Sequence, residues 1–263
     1  MFPELFRLPF GSKGLVIPTY GIFALIAIAC SWFILILRLR KEGISTDGSL
    51  AVGGVAIGLG FAGGLLTGFL FRLFDMVHPD TSVLLTGSVT WQGGIIFGLA
   101  GGSWVLNQYG VDVVRSLDRS IPAVFLGLGI GRIGCFFGGC CFGTPTQLPW
   151  GIIYPPGHPS RALFANVAIH PTPIYESLVA LGIFLFGFKM SLKSSNGTTL
   201  AVSIGLYSIF RFGLEFLRGD HFPALGGLSI QQIVAILMLF GAYIYWRYNK
   251  HRSIQENQSN AVN

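Results

Sequence analysis

Long apolar runs dominate this 263-residue chain and restrict what it can fold into. A helix needs about 20 mostly apolar residues to cross the hydrocarbon core of a bilayer. Seven runs predict transmembrane helices: Leu15 to Leu37, within Leu50 to Phe74, within Gly93 to Leu106, within Ile121 to Phe142, Pro173 to Met190, Leu200 to Leu217 and Ile230 to Trp246. The predicted fold class is therefore an all-α integral membrane protein of about seven transmembrane helices.

The composition excludes an ordinary water-soluble domain. Charged residues make up 11% of the chain, which is about half of the usual fraction in soluble proteins. The 37 glycines and 23 phenylalanines suit a bilayer, because glycine lets membrane helices pack closely and phenylalanine is cheap to bury in lipid. The net charge of +6 is not gathered into a basic patch with exposed aromatics, so nucleic acid is not an expected partner.

The distribution of positive charge predicts how the chain is oriented. Lys and Arg are enriched in cytoplasmic loops, and most of the 17 fall on one side: Arg38, Arg40, Lys41, Arg115, Arg119, Lys189, Lys193, Arg247, Lys250 and Arg252. This predicts an outside N-terminus and an inside C-terminus. Residues 1–248 then form one membrane domain, with an extracytoplasmic cap loop at about 143–170 and a polar, fraying cytoplasmic tail at 249–263. No cleaved signal peptide is expected.

Arg132 is the most unusual residue, because it interrupts the otherwise uncharged run from Ile121 to Phe142. An arginine inside a membrane helix costs about 2.5–3.5 kcal/mol on insertion scales. In a structural role, its side chain extends to the membrane interface or forms an ion pair. In a functional role, it faces a cavity that accepts an anion. The neighbouring glycines favour the cavity, since they allow a ligand to approach the backbone closely.

A second charged group follows a helical repeat. Tyr207, Arg211, Glu215 and Arg218 are spaced so that they share one face of the sixth predicted helix. Ionisable groups within membranes typically face a bundle interior or a water-filled cavity. An Arg211–Glu215 pair one turn apart would lower the cost of burying each charge. A purely structural ion pair is the alternative interpretation.

Smaller motifs lie at or just before the starts of three predicted helices. His170 leads into Tyr175 and Glu176 through prolines that suit a helix entry, and an acid is stabilised near a helix N-terminus. His170 is a candidate base, because histidine is the side chain that most often exchanges protons in catalysis, although a loop histidine is commonly a surface residue. Tyr20 is either an interface tyrosine or an active-site donor. Gln92 can orient a polar group but cannot accept a proton.

Three cysteines, Cys135, Cys140 and Cys141, form a cluster after the fourth predicted helix. A disulfide is permitted there, and a metal or redox site is the alternative. The sequence has no second CxxC pair and no histidine at ligand spacing. We therefore expect no metal and no organic cofactor. Cys30 lies in the first predicted helix and is expected only to pack.

Taken together, these motifs resemble the prolipoprotein diacylglyceryl transferase family. The resemblance extends from Tyr20-Gly21 to about Asp220 and rests on motifs in the family's order: Gly131-Arg132-Ile133-Gly134 with Gly139 and Gly143, His170 with Tyr175-Glu176, and the helix carrying Tyr207, Arg211, Glu215 and Arg218. It implies a multi-pass enzyme of the bacterial inner membrane with its active site towards the extracytoplasmic face. The implied reaction moves the diacylglyceryl group of phosphatidylglycerol onto the lipobox cysteine thiol of a prolipoprotein and releases glycerol phosphate.

The resemblance also implies roles for individual residues. Arg132 and Arg211 correspond to the family's essential arginines, Tyr20 and Tyr207 to its motif tyrosines, and Gly143 to its motif glycine. The candidate catalytic residues are Arg132, Arg211, His170, Tyr20 and Gln92. The candidate substrate-binding residues are Arg132, Arg211, Tyr207, Gly143, Glu215, Arg218, Cys135, Tyr175 and Glu176.

This chain departs from the family's pattern at several positions. Gln92 stands where the family has a histidine, Cys135 where it has an asparagine, and Gly138 and Cys140 where it has an asparagine and a glutamate. Two other functions remain open at this point. One is a catalytically silent membrane protein that binds anionic lipid, and the other is a membrane thiol oxidoreductase that uses Cys135, Cys140 and Cys141.

Overall fold

The computed structural model describes residues 4–8, 15–77, 90–193, 197–219, 223–225 and 227–262. Most of them are helical. The helices are α1 Thr19–Lys41, α2 Thr46–Val77, α3 Thr90–Gln108, α4 Val113–Gly138, α5 Pro159–Phe164, α6 Thr172–Met190, α7 Thr198–Leu214 and α8 Ile230–Val262. Two short antiparallel pairs join β1 Glu4–Leu8 to β2 Leu15–Pro18 and β3 Pro223–Leu225 to β4 Leu228–Ser229.

Six helices in the described part of the chain are long and apolar enough to cross a membrane: α1, α2, α4, α6, α7 with the turn that follows it, and α8. The predicted class of all-α membrane protein is confirmed. The remaining predicted span corresponds to α3, which packs closely along α2. A Cβ added at Gly60 would lie 3.0 Å from the Gly94 carbonyl oxygen, so glycines permit this approach of the two backbones. The total of seven spans and their direction remain predictions.

Helix α4 begins earlier and ends earlier than predicted. The side chain of Asp112 accepts the N–H of Arg115 at 3.1 Å and caps the first turn. Arg115 therefore belongs to the helix and not to a connecting segment. At the other end Gly139 adopts a left-handed conformation with φ of 68°, and the Cys140 N–H donates to the Cys135 carbonyl at 3.2 Å. These features end the helix by a standard glycine cap, well before the predicted limit at Phe142.

The predicted end of the sixth span at Leu217 agrees with the structure, where helix α7 ends at Leu214 and continues as one 3-10 turn, Glu215–Leu217. Two further predictions about element limits are wrong. Leu15–Pro18 is a strand paired with β1, so the first helix begins only at Thr19. The last helix does not fray at residue 249, because its backbone remains helical to Val262.

Arg218 consequently lies off the helical face predicted for it. Its backbone is extended, with φ of −80° and ψ of 132°, and forms a bridge with Gly143. The Thr144 N–H donates to the Leu217 carbonyl at 2.8 Å, and the Gly219 N–H donates to the Phe142 carbonyl at 3.0 Å. These bonds to the cap replace the helical bonds and turn the chain away from the helix axis.

Helices α1 and α6 begin at the end of the bundle where α4 and α7 finish, and we call this the site end. Between α4, α6 and α7 lies a buried apolar cluster formed by Ile121, Phe125, Ala180, Ile183, Leu200 and Tyr207. The Ser177 hydroxyl donates to the Gly129 carbonyl at 2.8 Å and ties α6 to α4. The central helices are thus fixed against one another below the site end.

The predicted cap loop at 143–170 is ordered and covers the site end. It contains the short helix α5, and Ile152 and Ile169 exchange backbone hydrogen bonds of 3.0 Å. Tyr154 and Ile169 of the cap form a small buried cluster with Phe142, the residue that precedes it. The cap therefore has its own core, and it holds the chain on either side of α5 in place.

Candidate functional site

Three helices each contribute one residue to a buried polar network at the site end. Arg132 of α4 lies with Nε 3.0 Å from Oε2 of Glu176 on α6. The hydroxyl of Tyr207 on α7 donates to the other carboxylate oxygen, Oε1, at 2.6 Å. Glu176 is only 1% exposed. One carboxylate therefore fixes both the arginine and the tyrosine, and this pairing offsets much of the cost of burying the charges.

Close packing of α4 on α6 positions the first two members of this network. A Cβ added at Gly129 would lie 2.7 Å from Cγ of Leu181, so a larger residue there would have to displace the Leu181 side chain. The Ser177 hydrogen bond to the Gly129 carbonyl is made at the same contact. Glu176 precedes Ser177, and Arg132 lies one turn beyond Gly129, so the two charged side chains meet directly above the glycine.

A second network lies where α7 ends. Arg211 pairs through Nη1 with Oε2 of Glu215, which confirms the predicted pair. Nε of Arg218 lies 3.9 Å from the same oxygen, and the Ser229 hydroxyl donates to Oε1 of Glu215 at 2.9 Å. Glu215 is therefore held from three directions, and it keeps Arg211 at the site end.

Ser229 and Gln232, which were not among the predicted site residues, support this network from the start of α8: Ser229 caps the helix and Gln232 lies in its first turn. The Gln232 N–H donates to the Ser229 hydroxyl at 3.1 Å, and the Ser229 N–H donates to Oε1 of Gln232 at 2.9 Å. This reciprocal pair is a capping box. Its signal, a serine followed three residues later by glutamine before an apolar run, is visible in the sequence.

The two networks meet at Tyr207, whose phenol interacts electrostatically with both Arg132 and Arg211. Across the two networks, the guanidinium groups of Arg132, Arg211 and Arg218 outnumber the carboxylates of Glu176 and Glu215. An excess of positive charge in a site of low dielectric attracts an anion. Arginine suits phosphate in particular, because its planar fork can donate two parallel hydrogen bonds.

The cysteine cluster lies against Arg132. Nη1 of Arg132 is 3.4 Å from Sγ of Cys141 and 3.8 Å from Sγ of Cys135. Sγ of Cys140 completes a group in which all three sulfurs lie within 4.8 Å of one another. The three are free thiols. Hydrogen bonds with the Cys135 and Cys140 thiols, together with the positive charges of Arg218 and Arg132, lower the pKa of Cys141.

A cavity of about 790 Å³ opens beside these groups, between α1, α2, α3 and α4. Tyr20, Arg132 and the three clustered cysteines line its end at the site end of the bundle. Its other walls are mainly apolar and include Leu35, Val52, Leu106 and Leu117. The cavity is polar at one end and hydrocarbon-like along the rest, which suits a ligand with an anionic head and apolar tails.

Tyr20 and Gly143 are placed differently with respect to this cavity. Tyr20 lines it and is 49% exposed. Gly143 lies in the cap instead, where its backbone pairs with Arg218 and accommodates His170. A Cβ added at Gly143 would lie 2.7 Å from the His170 carbonyl oxygen. Glycine is needed there so that the cap can contact the residues that follow α7.

His170 and Tyr175 form a polar group in the cap with Trp150, which the sequence analysis did not include in the site. The Trp150 indole N–H donates to the Tyr175 hydroxyl at 2.7 Å, and Nδ1 of His170 lies 3.2 Å from the same oxygen. None of the three is among the described residues that line the cavity. Gln92 belongs to α3, but its side chain lies outside the described residues, so its orienting role remains a prediction.

Comparison with known proteins identifies the family. The sequence profile described as prolipoprotein diacylglyceryl transferase matches residues 7–248. This chain belongs to that family. Among its relatives, a phosphatidylglycerol–prolipoprotein diacylglyceryl transferase of Clostridium tetani is 31% identical over 251 residues, covering 93% of this chain and 97% of that protein.

Two other transferases extend the comparison to further groups of bacteria. Phosphatidylglycerol–prolipoprotein diacylglyceryl transferase 2 of Clostridium perfringens is 30% identical over 249 residues, or 92% of this chain and 95% of that protein. A protein of the same description from Synechocystis is 38% identical over 181 residues, or 63% and 64%. The resemblance found in the sequence motifs is confirmed.

Proposed function

We propose that this chain transfers the diacylglyceryl group of phosphatidylglycerol to the lipobox cysteine thiol of a prolipoprotein and releases glycerol phosphate. The observation that carries this proposal is the position of Arg132. It is held by Glu176 at 3.0 Å and lies at the polar end of an otherwise apolar cavity. The names of the transferases from C. tetani and C. perfringens support the same reaction and the same two substrates.

The cavity accounts for lipid binding. The phosphodiester of phosphatidylglycerol occupies the polar end, where Arg132 donates hydrogen bonds to its oxygens. Arg211 does not line the cavity, and it adds positive charge from the neighbouring network through Tyr207. The acyl chains follow the apolar walls formed by α1 to α4, past residues such as Val52 and Leu106. Tyr20 contacts the glycerol headgroup at the cavity mouth. The charge at one end of the cavity thus matches the headgroup, and its apolar length matches the acyl chains.

The reaction is the alkylation of a thiolate. The sulfur attacks the glyceryl carbon that bears the phosphate ester, an S–C bond forms, and the C–O bond breaks with its electron pair on the phosphate oxygen. Negative charge develops on that oxygen, and donors already held in place stabilise it without reorganisation. Glu176 and Tyr207 fix Arg132, while Glu215 fixes Arg211, so these three act as positioning residues.

The attacking thiol must lose its proton, because its pKa is about 8.5 when free. His170 is the candidate acceptor carried from the sequence. The Tyr175 hydroxyl accepts from the Trp150 indole N–H and lies 3.2 Å from Nδ1 of His170, so the tautomer that carries its proton on Nδ1 would have Nε2 as the basic nitrogen. Gln92 is assigned to orienting a headgroup hydroxyl from α3.

We place the protein in the bacterial inner membrane with the site end and the cap facing outwards. Lys and Arg are enriched on the cytoplasmic side of membrane proteins. The bundle end opposite the site carries the last turns of α1 and α6 and the first turn of α4, with Arg38, Arg40, Lys41, Lys189 and Arg115. This asymmetry supports the predicted topology.

Transfer by the purified protein tests the proposal. The protein is reconstituted in phosphatidylglycerol vesicles with a synthetic lipobox peptide, and mass spectrometry follows both the peptide and released glycerol phosphate. We expect the peptide to gain one diacylglyceryl group. A peptide with serine in place of the cysteine, and vesicles of phosphatidylethanolamine, should give no product. A folded protein that binds phosphatidylglycerol but leaves the peptide unmodified would contradict transfer and favour a lipid-binding function.

A further inference from the structure

The three clustered thiols have the arrangement of a metal site. Sγ atoms of Cys135, Cys140 and Cys141 all lie within 4.8 Å of one another. In tetrahedral zinc sites the Zn–S distance is about 2.3 Å, which places the sulfurs about 3.8 Å apart. The sulfur atoms would therefore have to move about 1 Å closer to one another to bind an ion, which side-chain rotation can supply without a change of fold.

The backbone holds the cysteines in this arrangement. The glycine cap of α4 turns the chain back, so that the Cys140 N–H bonds the Cys135 carbonyl at 3.2 Å. Cys141 adopts φ of 57°, a conformation that is unfavourable for a residue other than glycine. The hydroxyl of Thr172 on α6 donates to the Cys141 carbonyl at 2.6 Å and secures this turn.

The charges around the cluster also suit a divalent ion. Three thiolates and one Zn²⁺ carry a net charge of −1, and Arg132 has its Nη1 at 3.4 Å and 3.8 Å from two of the sulfurs. A nearby cation of this kind stabilises an anionic metal centre. All three cysteines line the cavity, so the fourth position of an ion with three protein ligands would be accessible from the cavity.

We propose that Cys135, Cys140 and Cys141 bind Zn²⁺, and that the open fourth position of the ion takes the incoming lipobox thiol as a thiolate. The proposal rests on the proposed transferase function and assigns its deprotonation step to the metal in place of His170, which does not line the cavity, and of Gln92, whose amide cannot accept a proton. It revises the expectation of no metal, which considered sequence spacing alone. The turn after α4 brings together sulfurs that the spacing did not suggest as a ligand set.

The step balances without a change of oxidation state. The peptide thiol binds zinc and releases its proton to water, since a coordinated thiol is deprotonated. The zinc-bound sulfur attacks the glyceryl carbon, and the electron pair of the broken C–O bond leaves with glycerol phosphate. The product thioether is neutral and a weak ligand, so it leaves the ion, and water or the next thiol takes its place.

Metal content tests the site independently of activity. The full chain is purified from cells grown with zinc, and its metal is measured by mass spectrometry. We expect about one zinc ion per chain, with loss of the ion in Cys135→Ser and Cys141→Ser. Cys30→Ser is the matched control, because Cys30 lies in α1 and does not line the cavity; it should keep its zinc.

The fourth position is tested by replacing zinc with Co²⁺ and recording the sulfur-to-metal absorption bands. These bands should change when a lipobox peptide is added and not when its serine analogue is added. Removing the metal should lower the transfer rate by about 10²-fold, and added zinc should restore it. Full transfer by metal-free protein would overturn this inference without contradicting the proposed function. Absorption bands that do not change when the peptide is added would do the same. Metal and thiol binding without any transfer would support the site and contradict the proposed function.

Discussion

Two groups of buried charges lie at opposite ends of the same helical bundle. At the site end, Arg132 and Arg211 pair with the carboxylates of other side chains. At the opposite end, Nη2 of Arg38 donates to the Phe188 carbonyl at 2.9 Å, and its guanidinium lies 3.6 Å from the centre of the Phe188 ring. Arg38 is 3% exposed and Arg211 is 6% exposed, so each end contains a deeply buried arginine.

The partners differ between the two ends. Asp118 accepts the Leu200 N–H at 2.7 Å and interacts with further backbone N–H groups where α7 begins. Glu42 pairs with Arg115 and Arg119 at 2.5 Å and 3.0 Å and joins the end of α1 to the start of α4. None of these residues lines the cavity, whereas Arg132 does. Arg132 indicates the site because it opens onto a space that a ligand can enter, and Arg211, which does not line the cavity, is linked to Arg132 through Tyr207.

The largest expected effect comes from removing an ion pair at the site end. Arg211→Ala combined with Glu215→Ala deletes both charges, so no uncompensated ion remains buried. We expect kcat/KM for transfer to fall by about 10²–10³-fold, because the network beside the developing phosphate charge loses the guanidinium of Arg211. Initial rates with the lipobox peptide measure this effect. Activity that is lost in Arg211→Ala but returns in the double variant would show that the arginine has only a structural role.

Tyr207→Phe should have the next largest effect. It removes the 2.6 Å hydrogen bond to Glu176, and a bond to a charged group is worth about 1.5–3 kcal/mol. We expect kcat/KM to fall by about 10–100-fold, since Arg132 loses its fixed orientation. Tyr154→Phe is the control, because the buried Tyr154 hydroxyl has no hydrogen-bond partner among the described residues. Equal losses in both variants would contradict the positioning role.

Asp118→Ala probes the opposite end, where the effect should be on stability. The Leu200 N–H loses its acceptor, and a buried unsatisfied group costs about 1–3 kcal/mol. We expect a lower unfolding midpoint in detergent, with kcat/KM of the folded protein close to wild type. Loss of activity without loss of stability would remove the distinction between the two ends.

The smallest effect should come from narrowing the cavity. Ala24 lines it from α1, and Ala24→Leu should raise KM for long-chain phosphatidylglycerol roughly fivefold, equivalent to about 1 kcal/mol of overpacking. Short-chain lipid should be affected less. Ala29→Leu, on the exposed side of the same helix, should change neither value. An equal rise in KM for long-chain and short-chain lipid would indicate that the acyl chains do not bind in this cavity.

Local relationships were the ones that the sequence could predict. The apolar runs located the helices, and one helical turn of spacing was enough to predict the Arg211–Glu215 pair. The contact of Arg132, Glu176 and Tyr207 joins three helices, and no spacing along the chain encodes it. Arg38 precedes Arg40 and Lys41 and was assigned to a charged connection, because only the packing against Phe188 reveals its burial.

Turn geometry also lies beyond sequence patterns of this kind. The C-x4-C-C spacing does not match a common metal motif, and the sulfurs converge only because Gly139 and Cys141 both adopt positive φ. Arg218 was wrongly placed on the helical face of α7 for a related reason. Hydrogen bonds from the distant cap, such as Thr144 to Leu217, end the helix there.

The role of the site-end arginines in lipid transfer is tested most directly in a bacterium depleted of its own prolipoprotein transferase. Mass spectrometry of a reporter lipoprotein shows whether this chain restores the modification. The wild-type chain and Asp118→Ala should each add a diacylglyceryl group to the reporter cysteine. The double variant Arg211→Ala/Glu215→Ala, inserted in the membrane at the same level, should leave the reporter unmodified. An unmodified reporter with the wild-type chain, or full modification by the double variant, would contradict the assignment of the site-end arginines to lipid transfer.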